Sequence, residues 1–255
     1  MTKPSAAPLL AALLAASTLH AQSSKMPDTE SYSFRDSLSS FAEYSNTSSH
    51  IILGVSGNRR LIALGGTYSR RLLHSRYVDW HYDLDVRPLT LLEEPTARIT
   101  VVAAPSVTFY GPSDYDGPIE HACTSSTVSV AAVPPIGPIS GNPAYTVTTV
   151  CETRWTYAGG VSPLGQRLNF APRHRLQPFI LGNAGFMAAT RDIPSYNSES
   201  FNFTFEFGAG FEFFENHHRS WAVDYRIHHL SNAYRGQNNP GIDSQIVKLT
   251  YSFGR

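Results

Sequence analysis

Between positions 199 and 214 the chain sets an apolar residue at every second place from Phe201 onward: Phe201, Phe203, Phe205, Phe207, Ala209, Phe211 and Phe213. The intervening positions hold Asn202, Thr204, Glu206, Gly208, Gly210 and Glu212. Period two is the mark of a β-strand, whose successive side chains point to opposite faces. The run is longer than the roughly five or six residues typical of a soluble sheet, and its apolar face needs a correspondingly long apolar environment. Positions 77–91 repeat the pattern: Val78, Trp80, Tyr82, Leu84 and Val86 alternate with Asp79, His81, Asp83, Asp85 and Arg87. A face carrying charges of both signs suits either solvent or a salt-bridged interior.

Further strand-like segments are expected over 31–44, 60–73, 154–170 and 175–190, from Trp221 through Ser231, and from Asp243 to the end. The connections alternate in length: long, short, very long, short, medium, short, medium. Outer-membrane barrels join their strands this way, with short periplasmic turns, longer outer loops and apolar side chains outside. A soluble lipocalin-like barrel or sandwich would put the apolar face inside and would not sort its loops by length. The expected fold is therefore all-β: an eight-stranded antiparallel transmembrane barrel.

Residues 1–21 read as a secretory signal, with Lys3, the apolar run 9–16 and L-H-A ending at Ala21. That run is too short to cross a bilayer as a helix. Residues 22–255 then form the barrel, with 93–153 as one long outer-loop insertion that has room for a small hairpin of its own; a pair of extra strands is the alternative. The insertion carries both cysteines, Cys123 and Cys151, which an exported chain is expected to join as a disulfide. Lys and Arg total 20 against 20 Asp and Glu, which excludes the electrostatic footprint of a nucleic-acid binder.

The chemistry concentrates at W-A-V-D-Y-R-I-H-H-L-S-N, residues 221–232. His229 and Ser231 end the apolar face of this strand, two residues apart, a base and a nucleophile on one surface. Asp243 opens the face of the next strand that continues through Gln245, Val247, Leu249, Tyr251 and Phe253. A hairpin symmetric about Gln237 would set Asp243 opposite Ser231 and diagonal to His229. No metal or cofactor is expected: His217–His218 and His228–His229 are adjacent pairs whose members point to opposite faces, and no zinc-type spacing occurs.

The sequence H-L-S-N followed by a carboxylate twelve residues after the serine resembles the outer-membrane lipid A 3-O-deacylase family (the PagL type). The resemblance covers about 31–92 and 153–255 in layout and 229–243 in motif. It implies that Ser231 attacks an acyl ester, His229 is the base, Asp243 orients it and Asn232 helps to hold the oxyanion. The implied substrate is lipid A of lipopolysaccharide in the outer leaflet, cut at its ester-linked 3-hydroxyacyl chain at position 3. The implied location is the outer membrane, as a lone barrel or a homodimer. The family's usual acid is Glu, so the longer side chain in Asp243→Glu is expected to keep or raise the rate. Two other readings remain: an outer-membrane phospholipase, and a non-catalytic adhesion or structural barrel.

Overall fold

The computed structural model describes residues 31–104, 109–136 and 141–255; the expected signal segment lies outside them. The strands are β1 (Asp36–Ser45), β2 (Arg60–His74), β3 (Val78–Ala103), β4 (Tyr115–Pro118), β5 (Ser126–Val130), β6 (Tyr145–Phe170), β7 (Leu176–Ile193), β8 (Glu199–Asn216), β9 (Arg219–Ser231) and β10 (Ile242–Gly254). Eight of them, β1, β2, β3, β6, β7, β8, β9 and β10, pair antiparallel in a ring. The first strand closes on the last, Ser37 opposite Gly254 through Tyr44 opposite Val247. Three short turns, after β2, β6 and β8, share one end with both termini of the barrel. The connections 46–59, 104–144 and 232–241, which are longer, and the short 194–198 lie at the other end.

The two faces of this ring are opposite in polarity to those of a soluble barrel. The outward face of β8 exposes Phe203, Phe205, Phe207, Phe211 and Phe213, and β10 exposes Val247, Leu249 and Phe253. Inside, Glu43, Asp85, Arg87, Glu206, Arg226 and Lys248 are buried together. Arg87 reaches Glu43 at 2.8 Å and Glu206 at 2.6 Å, Arg226 reaches Glu206 at 2.9 Å, and Lys248 reaches Asp85 at 2.9 Å. Small residues make the room: a Cβ on Gly210 would stand 2.5 Å from Cβ of Asp224, the ion-pair partner of Arg226. Apolar outside and charge-paired inside is the arrangement that hydrocarbon selects, because a closed ring leaves no strand edge unpaired in lipid. The chain is an outer-membrane-type barrel.

Toward the loop end the interior turns apolar. Leu61, Ala63, Leu92, Ala158, Met187, Ile193, Leu230, Ile242 and Ile246 form one buried cluster across the barrel. Leu230 and Ile242 face each other in it, so the hairpin that carries Ser231 and Asp243 is anchored from inside.

The long excursion and its disulfide are present, and Cys123 and Cys151 lie 5.7 Å apart at Cα. Strand extends further into residues 93–153 than the sequence suggested. β3 and β6 are each 26 residues long, about 85 Å at strand rise, and stay paired to Ala103 opposite Tyr145. β4 adds to β3 and β5 to β6, which makes a four-stranded sheet beyond the ring. Prolines inside the strands are accommodated: Pro88 and Pro163 lie within register shifts. Pro95 lies just past Glu93, the last residue of β3 to pair with β2, where no ladder donor is needed on that side.

Arg87 is the test of the interior. Arg87→Leu leaves Glu43 and Glu206 without their main partner and should cost about 3–5 kcal/mol. Urea unfolding of the detergent-solubilised barrel, followed by its heat-modifiable migration on gels, measures this; a change below about 1 kcal/mol would place the stabilisation elsewhere.

Candidate active site

His229 lies on β9 with its side chain on the outward face, and Asp243 on β10 is directly opposite. His229 Nδ1 is 2.6 Å from Asp243 Oδ1. The sequence-based register was two residues off: the hairpin turns about Gly236, not Gln237, so Asp243 faces His229 instead of Ser231. A slip of two keeps every side chain on its face, and here it brings the acid closer to the base. The shorter carboxylate therefore makes full contact, and Asp243→Glu has no gap to fill.

Ser231 is the last residue of β9, half-buried on the same face as His229. Its partner across the sheet is Phe203 on β8, and that of His229 is Phe205. Phe201, Phe203, Phe205 and Phe207 thus form an apolar wall beside the serine and histidine. Among the described residues, Ser231 Oγ makes no hydrogen bond.

Asp243 also faces outward, yet it is fully buried. Its cover is the loop between β1 and β2. Oδ2 accepts the backbone N–H groups of Ile51 at 3.0 Å, Leu53 at 3.1 Å, Gly54 at 3.1 Å, and Ile52. The loop lies along the start of β10: Ser49 N–H donates to Asp243 O at 3.1 Å, Val55 N–H to Pro240 O at 2.7 Å and Ser56 N–H to Gly241 O at 3.2 Å. His50 Nδ1 closes it on Gly54 O at 2.9 Å. Glycine is required at Gly54, where a Cβ would lie 2.6 Å from Asp243 N. It is also required at Gly241, with φ of 59° and a hypothetical Cβ 3.2 Å from His229 Cε1. From sequence the segment between 44 and 60 reads only as a long connection, which misses this cover. The signal available was Ile51–Val55, an apolar stretch with a glycine inside an otherwise polar segment.

β9 ends at Ser231, and Asn232 turns into the outer loop, fully buried. Its Nδ2 donates to Asn238 O at 2.7 Å, and its Oδ1 accepts Tyr234 N–H at 2.9 Å. Its own N–H donates to Asn239 Oδ1 at 3.1 Å. Ala233 and Tyr234 follow with φ of 53° and 61°, a left-handed pair that non-glycine residues seldom adopt. Asn232 organises the turn that leads away from the serine.

His228 points into the barrel, 3.9 Å from Glu206, and takes no part in this surface. Glu43, Asp85 and Glu206 bring carboxylate oxygens within 4.8 Å of one another, but Arg87, Lys248 and Arg226 already supply the cations there. The His–Asp pair and Ser231 thus lie on one outward face at the loop end of the barrel.

Residues 140–252, which contain H-L-S-N and Asp243, match the family model described as Lipid A 3-O-deacylase (PagL), so the chain is similar to that family through its C-terminal strands. Among solved structures, that of the outer membrane enzyme PagL aligns at 16% identity and a TM-score of 0.49, covering 85% of this chain and 99% of the other. Neisserial surface protein A (NspA) aligns at 8% identity and 0.41, covering 86% and 97%. The outer membrane protein OprG from Pseudomonas aeruginosa aligns at 10% and 0.38, covering 88% and 97%. No curated protein sequence matches this chain.

Asp243→Asn replaces one acceptor oxygen with an N–H donor. Either Oδ2 loses its four N–H donors or His229 loses its acceptor, which should cost about 1–3 kcal/mol. Urea unfolding of the detergent-solubilised barrel checks this, and equal stability of the two proteins would mean that the loop contacts carry little energy.

Proposed function

We propose that the protein is a serine esterase of the outer leaflet that removes the ester-linked 3-hydroxyacyl chain at position 3 of lipid A. The observation that carries this reading is the 2.6 Å contact of His229 Nδ1 with Asp243 Oδ1 on the lipid-facing rim, two residues from Ser231 on the same face. With Nδ1 bound to the acid, Nε2 is the nitrogen free to act as base. Ser231 Oγ attacks the ester carbonyl carbon while His229 takes its proton. The tetrahedral intermediate collapses, and His229 returns the proton to the departing sugar oxygen. Water then attacks the acyl-serine with His229 again as base, which releases the 3-hydroxy fatty acid and restores Ser231. Asp243 holds the ring in the required tautomer and stabilises its charged form.

The lipid-facing position supports a membrane substrate, and the Phe201–Phe207 wall offers apolar surface for an acyl chain. The family description supports lipid A as its source. Asn232 was the expected oxyanion donor. One of its two Nδ2 hydrogens is committed to Asn238 O, so we assign it first to shaping the turn after Ser231.

Mass spectrometry of lipid A from cells expressing the protein reads the reaction as loss of one hydroxyacyl mass. Ser231→Ala and His229→Asn should keep the barrel folded and lower the rate by about four to six orders of magnitude. Asp243→Glu should lower it about tenfold or more, since the added methylene must displace either His229 or the covering loop. Unchanged lipid A with correctly inserted wild-type protein defeats the lipid A assignment, and a phospholipid panel then separates a phospholipase from a non-catalytic barrel. Full activity in Ser231→Ala removes the nucleophile.

A further inference from the structure

We propose that the outer insertion positions the acid of the site: Arg59 and the Cys123–Cys151 disulfide hold the β1–β2 loop so that its backbone clasps Asp243. The inference rests on the hydrolase reading for its catalytic consequence, while the clasp itself is testable without it.

The connection is continuous. Asp243 gives Oδ1 to His229 and Oδ2 to the four N–H groups of Ile51–Gly54, so its plane is set by the loop as much as by the histidine. The loop is closed at its base by Ser48, whose Oγ donates to Ser56 O at 3.1 Å and accepts Arg59 N–H at 3.1 Å. Arg59 is fully buried. Its Nη1 donates to Gly57 O at 2.7 Å and Glu120 O at 2.9 Å, and its Nη2 to Ile119 O at 2.8 Å and Pro194 O at 2.6 Å. One guanidinium thus binds the β1–β2 loop, the insertion and the β7–β8 connection through main-chain carbonyls. Burial pushes Arg59 down to about 10, so it keeps its charge at neutral pH. Two further contacts join loop to insertion: Gly57 N–H donates to Glu120 O at 2.9 Å, and Ala122 N–H to Asn58 Oδ1 at 3.2 Å.

The insertion segment that receives these bonds is fixed on both sides. Upstream, β4 pairs with β3, and Ile119 N–H donates to Pro95 O at 3.0 Å. Downstream, Cys123 is bonded to Cys151 of β6. A loop of about fourteen residues at a barrel rim would otherwise sample many conformations, and the ordering entropy would fall on the Asp243 contacts and the few backbone bonds to the start of β10. Anchoring its base to a strand-paired and disulfide-bonded segment removes that freedom before substrate arrives. Arg59 and the disulfide are therefore positioning groups, acting through the loop and Asp243 on the orientation of His229.

The test is a double-mutant cycle with two readouts. Arg59→Ala should lower kcat about ten- to a hundredfold with KM unchanged, the scale expected for a misplaced catalytic group. Cys123→Ala/Cys151→Ala should act in the same direction. In an Asp243→Ala background neither change should lower kcat further, because the acid through which they act is gone. Multiplicative losses in that background would overturn the inference, as would full activity of Arg59→Ala beside an active wild type. Amide hydrogen exchange at Ile51–Gly54 reads the clasp directly, and these amides should lose protection in Arg59→Ala and the cysteine variant as they do in Asp243→Ala. Unaltered protection in both would overturn the link. If Arg59→Ala does not insert, the cysteine variant carries the same cycle. Wild type without esterase activity, but with exchange that responds as described, defeats the hydrolase reading while the clasp stands.

Discussion

Everything in this molecule follows from closing one sheet on itself in hydrocarbon. Lipid offers no partner to a backbone N–H or C=O, so every strand needs neighbours on both sides, and the ring from β1 to β10 provides them. Closure then divides the side chains strictly by parity. Phe203, Phe205 and Phe207 must face lipid because Thr204, Glu206 and Gly208 face inward, and the inward charges find partners in Arg87, Arg226 and Lys248. The polar interior ends beneath the Leu61–Ile246 apolar cluster, so the rim above it rests on packed side chains instead of an open channel.

The same parity explains where reactive groups can lie. A carboxylate and an imidazole on the lipid-facing side are costly toward the midplane and cheaper near the interface. His229 and Asp243 form the second rung of the β9–β10 pairing from the loop end. Under the proposed function, the serine, histidine and acid there would meet an ester carried by a membrane lipid without the lipid leaving the bilayer. The adjoining phenylalanines belong to the ordinary apolar belt, so the acyl-chain surface proposed above would come with the fold.

How much of this the sequence reveals depends on how local each interaction is. The Phe201–Phe213 alternation contains its strand and its facing in itself. The H-L-S-N segment with a later acid contains the chemical types and their shared face. The hairpin axis is less accessible, because both Gly236 and Gln237 lie in a loop without a decisive turn dipeptide, and a slip of two residues preserves every facing. Strand continuation past Pro95 was hidden because proline looks like an end, while in this barrel it falls on a side free of β2. The contacts least visible in sequence are those made by main chain. The N–H groups of Ile51–Gly54 and the carbonyls of Ile119, Glu120 and Pro194 carry no residue code, so neither the cover on Asp243 nor the knot around Arg59 could be read from side-chain types.

The cover on Asp243 also answers an electrostatic problem that the site creates. An outward acid bonded only through Oδ1 to His229 would leave Oδ2 facing an apolar boundary, and an unpaired ionised oxygen there favours its neutral form. A neutral acid would hold the imidazole in place but would stabilise its positive charge poorly. Four N–H groups aimed at Oδ2 keep the carboxylate charged without a second cation, which would compete with His229 for the acid. The loop can supply them only where β1 stops at Ser45 and leaves the first residues of β10 without a ring partner, so Ser48 and Ser56 bridge to Ser244 and Ile242 in its place. An early end to one strand thus opens the edge that the clasp occupies, and the acid stands on that edge.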